Sequence, residues 1–477
     1  AKYPDVLDSV VWHVPFAGNR VWWALDSINA YFVDMARGQK KARVVEFNTR
    51  TGATRILFEE VSETFIDLNL DFENPASLVP LPDTKELIWF SERSGWAQLY
   101  LYDLTEGKLK NRITQGDWVV REVLYFDPKK REVLLQISGR VPDHNPYYRE
   151  VCRVNIDTGR MVIIASGDLD YIVYKPNTRQ TNLAVGFNLA ASGCSGISPD
   201  GRYIVATRSR ADETPVTVLI DHNGNTLLTL EIADTSGLPE GWRCPEPVKL
   251  LGADGKTNIY GLVFRPSDFA PDRHYPVIDW AMTNPFYSYV PTGAFGNDTE
   301  SGYAYWSAQA LAELGFITVI IDGRGSCYRS KSFHNESYAQ IHKGNNLEDH
   351  ISGIRQLAQL YPYMDLERVG VTDTCGSNGP VYGMLAYPDF YKVGATVSIW
   401  DVRMLAQAEI YQGLTTEVDY QGAVLGNLAE NLTGELLIVQ GMMDPFFSVS
   451  GALQLADALI SKNKIFDMIM LPNGVHA

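Results

Sequence analysis

Near Pro247 the hydrophobic pattern of this chain changes period, and that change limits the fold more than any other feature. Before it, short apolar or alternating runs are broken by turns every ~8–12 residues, as in successive strands. After it, apolar runs of strand length alternate with stretches of helical period, as in strand–helix–strand units. One core cannot serve both halves. The 477 residues also exceed the ~250–300 at which single cores stop growing. Two domains are therefore expected, residues 1–250 and 251–477.

The first region carries a loose repeat. Ala42–Asn48 leads into Thr51-Gly52, Leu99–Asp103 into Glu106-Gly107, Val151–Asn155 into Thr158-Gly159, and Val216–Asp221 into Asn223-Gly224. Each is a strand, a polar turn closed by glycine, and a second strand, which is the pattern of a β-hairpin. Hairpin repeats spaced by roughly 50 residues point to the blades of a β-propeller. A β-sandwich or irregular sheet is the alternative. Four units are few for a closed ring, so further blades are expected upstream of Ala1.

The second region begins in β, with Ile259–Pro266, and then alternates. Strands are expected at Pro276–Trp280, Phe316–Asp322, Arg368–Thr372, Val393–Trp400, Leu436–Gln440 and Met468–Leu471. Helices are expected at Trp306–Leu314, along the face marked by Leu347, Ile351, Ile354 and Leu357, and at Val449–Asn463. Phe316–Asp322 is apolar almost throughout, as buried parallel strands are. This order predicts a doubly wound, mostly parallel sheet.

Composition narrows the partners. With 41 basic and 57 acidic residues the formal charge is −16. Nucleic acid and anionic membranes both need a basic face, so neither is expected as a partner. No apolar run reaches the ~18 residues of a spanning helix. The start, Ala1-Lys2-Tyr3-Pro4-Asp5, has no initiator Met and no signal-peptide pattern, and reads as a fragment or a mature chain. The five cysteines, Cys152, Cys194, Cys244, Cys327 and Cys375, show no metal-ligand spacing. No metal or other cofactor is expected.

In a doubly wound sheet, ligands bind beyond the carboxyl ends of the strands. Asp444 follows one strand end, in Gln440-Gly441-Met442-Met443-Asp444, and His476 follows the next, in Leu471-Pro472-Asn473-Gly474-Val475-His476. A carboxylate and an imidazole so placed can meet above the sheet, where the Asp orients the ring and the His moves a proton. In α/β-hydrolases the chain order is nucleophile, acid, base. The nucleophile is then expected on the sharp turn after Arg368–Thr372, in Thr372-Asp373-Thr374-Cys375-Gly376-Ser377-Asn378-Gly379-Pro380. No G-x-S-x-G stands there. Ser377 has Gly379 two residues later but Cys375 two before; Cys375 has Asp373 before and Ser377 after. Both stay candidates.

With these residues in view, the chain resembles the prolyl oligopeptidase family of serine peptidases, in its dipeptidyl aminopeptidase branch. In the first region the resemblance rests on Ser62–Asp67, Trp89–Trp96 and Gly116–Arg121. In the second it rests on Ile321–Ser326, Pro388–Val393 and Leu471–His476. It implies an incomplete β-propeller followed by an α/β-hydrolase domain, with Asp444 and His476 as acid and base. Counting from Arg368 sets the family serine on Cys375, and counting back from Pro388 sets it on Thr374. Local sequence favours Ser377, because Gly376–Gly379 resembles a prolyl oligopeptidase elbow.

The resemblance also marks departures. Where the family has a tyrosine that helps hold the oxyanion, this chain has Met282, which cannot donate a hydrogen bond. Tyr287 or Tyr289 is the available substitute. After the acid, Phe446-Phe447 stands where the family has an Asn-Val pair lining the substrate pocket. Trp400 matches an aromatic that packs on a proline-sized side chain. The family's pair of glutamates for the peptide amino terminus has no counterpart; Glu59-Glu60 falls in a different blade context. The chain stops one residue after His476, where the family continues into a terminal helix.

The resemblance implies a serine-type peptidase that releases dipeptides or cleaves short peptides, after proline or a small residue, through an acyl-enzyme. It implies a short peptide as substrate, a homodimer as assembly, and a periplasmic or extracellular site of action. The alternatives are a catalytically inactive relative that binds proteins, and an esterase on the same fold.

Overall fold

The computed structural model describes residues 20–70, 76–173, 195–296, 302–344, 346–373, 378–399, 401, 403, 408–445 and 447–476. The chain divides into two compact units. The first holds residues up to Arg210 with 215–233 and 327–332; the second holds 211–214, 234–326 and everything from Phe333 onward.

Among the described residues, the first unit contains four four-stranded sheets, each joined in sequence order like the blades of a propeller. The first is β1 (Val21–Trp23), β2 (Asn29–Met35), β3 (Lys41–Asn48) and β4 (Thr54–Val61). The second is β5 (Val79–Leu81), β6 (Glu86–Ser91), β7 (Gln98–Asp103) and β8 (Lys108–Arg112). The third is β9 (Val119–Asp127), β10 (Glu132–Ser138), β11 (Arg149–Asn155) and β12 (Met161–Ala165). The fourth is β13 (Asp170–Ile172), β14 (Tyr203–Arg210), β15 (Glu213–Asp221) and β16 (Thr226–Ile232).

The four hairpins read from the sequence are the outer pair of strands of the four blades. Their turn glycines, Gly52, Gly107, Gly159 and Gly224, all take positive φ, between 70° and 92°, which a side chain disfavours. Two of them also lie against the preceding blade. A Cβ on Gly107 would sit 2.2 Å from the Leu57 carbonyl oxygen on β4, and one on Gly224 would sit 2.5 Å from that of Ile164 on β12. Apolar cores run across blade boundaries too: Val44 and Leu57 share a cluster with Leu87 and Trp89, and Val151 and Ile164 share one with Ile204 and Val218.

The second unit is built on one eight-stranded sheet, ordered β17-β18-β20-β19-β21-β22-β23-β24. Its strands are β17 (Glu246–Leu251), β18 (Asn258–Phe264), β19 (Tyr275–Trp280), β20 (Ile317–Asp322), β21 (Met364–Thr372), β22 (Val393–Val397), β23 (Glu435–Gly441) and β24 (Asp467–Leu471). β17, β18 and β20 pair antiparallel, and from β20 to β24 every pairing is parallel. All six residues of β20 are buried. Strand order reverses between β19 and β20, as doubly wound sheets do. The longer helices are α1 (Gly302–Glu313), α2 (Leu347–Leu360), α3 (Gly379–Ala386) and α4 (Val449–Ser461). On α2 the buried residues include Leu347, Ile351, Ile354 and Leu357, one face at helical spacing.

The architecture is that of propeller blades followed by an α/β-hydrolase sheet. Several element boundaries differ from the sequence reading by a residue or more; β21, for instance, begins at Met364 rather than Arg368. β22 ends at Val397 rather than Trp400, because Ser398 adopts φ +63° and leaves the extended region. α1 begins at Gly302, four residues before the start read from the sequence at Trp306.

Candidate active site

β23 and β24 run parallel with Gly441 opposite Leu471, so both strands stop at one level. The two segments that follow are stitched together by backbone. Met442 N donates to Leu471 O at 3.0 Å, and Met443 N donates to Gly474 O at 3.0 Å. Glycine is required here by space: a Cβ on Gly441 would lie 2.5 Å from Val475 O and 2.7 Å from Gly474 O. That close approach brings Asp444 and His476 together. His476 Nδ1 lies 2.8 Å from Asp444 Oδ2. The Asp444 side chain is fully buried, while that of His476 keeps 12% of its surface exposed.

The other Asp444 oxygen is also taken. Phe447 N donates to Oδ1 at 2.9 Å, and the Phe447 ring meets the His476 ring edge to face at 4.9 Å. Such an arrangement can hold an imidazole with its Nδ1 toward a carboxylate, which leaves Nε2 to exchange a proton with a nucleophile.

The remaining expected residues divide into three groups. Cys375, Ser377, Trp400 and Phe446 lie outside the described residues. Met282, beyond the end of β19, is buried, and so are its two candidate substitutes. Tyr287 packs edge to face on Phe286 and Tyr289, and the Tyr289 hydroxyl accepts a 2.7 Å hydrogen bond from Asn284 Nδ2. Glu59 and Glu60 have partners within the first unit. Arg43 meets Glu59 at 2.7 Å, while Glu60 is buried and accepts from Trp89 Nε1, Ser91 Oγ and Arg93.

Two buried features escaped the sequence reading. Asp373, the last described residue before 374–377, is buried and accepts from Thr396 Oγ1 at 3.2 Å and Val397 N at 3.4 Å on the neighbouring strand. Asp322, at the end of β20, holds the segment after β19 by accepting from Ser288 Oγ, Tyr289 N and Val290 N. Burial raises its carboxyl above the usual range, and these three bonds work the other way.

The unit also contains a second Asp–His contact. His350 on α2 places Nδ1 2.8 Å from Asp279 Oδ1 on β19, and Tyr391 OH donates to Asp279 Oδ2 at 2.7 Å. All three side chains are buried. Burial alone would lower the His350 pKa, but the Asp279 carboxylate, by charge and hydrogen bond, and the charges of Asp322 and Asp349 outweigh it and raise the pKa. The Tyr391 hydroxyl is pushed well above its ordinary range by burial and by Asp279. Its aspartate and histidine come from chain positions 71 residues apart, and no local motif announces them.

Among the described residues, no helix is long and apolar enough to cross a membrane. Residues 17–188 match the model for the dipeptidyl peptidase IV N-terminal region, and residues 301–477 match that for the prolyl oligopeptidase family. Dipeptidyl peptidase 8 of Homo sapiens is 28% identical over 257 residues, covering 52% of this chain and 28% of that protein. Venom dipeptidyl peptidase 4 of Vespa velutina is 26% identical over 241 residues, covering 48% of this chain and 29% of that protein. The chain thus spans under a third of each of these two relatives. Dipeptidyl peptidase 4 of Porphyromonas gingivalis superposes with a TM-score of 0.76 at 20% identity, over 96% of this chain and 60% of that one. That likeness is one of fold.

Proposed function

Because the chain belongs to the prolyl oligopeptidase family, in its dipeptidyl peptidase IV-like branch, we propose that it is a serine-type peptidase. On this reading it releases dipeptides, or cleaves short peptides, after proline or a small residue. The observation that carries the reading is the 2.8 Å contact between Asp444 and His476 at adjacent strand ends.

The nucleophile, Ser377 or Cys375, attacks the scissile carbonyl carbon while His476 takes its proton. The C–N bond breaks, the proton passes from His476 to the leaving amine, and an acyl-enzyme remains. Water then attacks the acyl carbon, His476 takes a proton from it and returns one to the nucleophile, and the peptide acid leaves. Asp444 holds Nδ1 and stabilises the imidazolium throughout. Trp400 and Phe446 are the proposed contacts for the residue before the scissile bond. Assembly as a homodimer completes the proposal.

A second reading is an inactive relative that binds proteins. Two observations favour it. Met282, buried, offers no donor where the family has its oxyanion tyrosine. Asp373, buried and bonded to β22, stands two residues before Cys375, where an elbow prefers glycine.

A fluorophosphonate probe followed by peptide mapping tests both. An adduct on Ser377, with release of dipeptides from a Gly-Pro anilide, is the expected result. An adduct of iodoacetamide on Cys375 that abolishes turnover would move the nucleophile there. Neither adduct and no turnover would leave the binding reading.

A further inference from the structure

Gln440 stands on β23, one residue before the close approach at Gly441, and it is fully buried. A buried side-chain amide has to place its acceptor and its donors inside the protein. This one places them on two different segments. Its Oε1 accepts from Ile399 N at 3.1 Å. Its Nε2 donates to Gly441 O at 3.1 Å and to Phe447 O at 3.3 Å. The partners fix the orientation of the amide, because two carbonyls call for its NH₂ and an N–H calls for its oxygen.

The first partner lies in the turn that leaves β22. Ser398 takes φ +63° there, in the left-handed region that a side chain disfavours. The turn is held amide by amide. Val397 N donates to Asp373 Oδ1 at 3.4 Å, Ser398 N to Val439 O at 2.9 Å, and Ile399 N to Gln440. Both neighbours of β22 take part, β21 through Asp373 just past its end and β23 through Val439 and Gln440. In the chain this turn leads directly to Trp400, the proposed substrate contact.

The other two partners are the ends of the segment that carries the acid. Gly441 opens it, Phe447 closes it, and Asp444 lies between them. Further bonds act on the same segment: Met442 N and Met443 N reach Leu471 O and Gly474 O, and Phe447 N reaches Asp444 Oδ1. Those bonds tie the segment to the one carrying His476 and to itself. Gln440 adds a link in another direction, joining both of its ends through one planar group to the turn after β22.

We propose that Gln440 is a positioning residue that couples the acid-bearing segment to the turn after β22, so that Asp444 and the approach to the substrate contact keep one arrangement. The inference deepens the peptidase reading and rests on Asp444 being its acid.

The test compares the full chain with Gln440→Met, which keeps the reach of the side chain without its hydrogen bonds, and with Gln440→Glu, which keeps the acceptor and loses both donors. Hydrogen exchange is read by mass spectrometry on fragments covering 397–399 and 441–447. Gln440→Met is expected to speed exchange roughly tenfold in both fragments, and Gln440→Glu to speed it at 441–447 alone. With a dipeptidyl anilide, Gln440→Met is expected to lower kcat per folded molecule roughly 10–100-fold and to raise KM as well. In Gln440→Glu the loss, measured against the unaltered protein at the same pH, is expected to shrink as pH falls, because a protonated carboxyl donates again. A residue that only supports the fold would lower the melting temperature and leave kcat and KM of the folded molecules as they were. That outcome, or faster exchange in only one fragment of Gln440→Met, overturns the inference. If Gln440→Met does not fold, Gln440→Glu decides, and equal exchange in its two fragments overturns the inference. If the unaltered protein neither labels nor turns over, the peptidase reading fails, and the exchange measurement alone decides whether Gln440 couples the two segments.

Discussion

Among its described residues, the second unit holds two Asp–His contacts of the same 2.8 Å length in opposite surroundings. Asp444 and His476 sit on the segments just beyond two strand ends, with part of the imidazole exposed. Asp279 and His350 lie in the core between β19 and α2, and their third member, Tyr391, takes the remaining carboxylate oxygen. Among the described residues, His350 Nε2 meets no hydrogen-bond partner, and the side chain is buried. An imidazole can carry a proton only for a group that can reach it. The buried triad is therefore a tie between sheet and helix, whereas the pair at the rim keeps the access that the proposed chemistry needs. The hydrogen bond is common to both; what separates them is access.

The largest expected effect tests that division at the rim. Asp444→Asn should lower the rate of fluorophosphonate labelling and of anilide turnover by about 10⁴-fold while leaving the melting temperature nearly unchanged, because a neutral amide permits the wrong tautomer. Next, Asp279→Ala should cost about 3–5 kcal/mol in urea unfolding, since it strands a buried imidazole and a tyrosine hydroxyl. The folded fraction should still label at the original rate. A folded Asp279→Ala protein that no longer labels would break the comparison, because the buried triad would then serve the chemistry.

Gly441→Ala should cost about 1–3 kcal/mol by overpacking against the Gly474 and Val475 carbonyls. It should also slow labelling, as the segments carrying acid and base are forced apart. A variant with full stability and full rate would show that the glycine contact does not set the pair.

The smallest effect is a slope. The fold raises the His350 pKa, so it stabilises the protonated form. That contribution is complete below the unfolded value near ~6.5 and disappears as pH rises through the folded value. Unfolding free energy should thus fall on the alkaline side by at most ~1.4 kcal/mol per pH unit, the slope of one proton. Asp279→Asn should flatten it.

The two contacts also differ in how far the sequence announced them. Asp444 and His476 could be proposed because each follows an apolar strand run and their order along the chain fits a hydrolase. The turn glycines of the blades were legible for the same local reason: strand, polar turn and strand follow one another directly along the chain, in the pattern of a hairpin. Asp279, His350 and Tyr391 come from three separated elements, so only the folded sheet brings them together. Glu59-Glu60 stands in a different blade context from the family's glutamate pair, and the structure makes Glu60 the buried acceptor for Trp89, Ser91 and Arg93. Hydropathy also ran β22 on to Trp400, because apolar character continues past the backbone reversal at Ser398. The elbow, with Cys375 and Ser377, lies outside the described residues.

The turn glycines of the first unit also tie neighbouring blades to one another. Gly107 and Gly224 each lie against a carbonyl on the last strand of the blade before, and a Cβ on Gly159 would lie 3.3 Å from the Ile113 carbonyl just after β8. Every such contact points backward along the chain. Each contact therefore couples two neighbouring blades: a side chain placed at Gly107 or Gly224 would strain its own turn and would also have to displace the backbone of the blade before it.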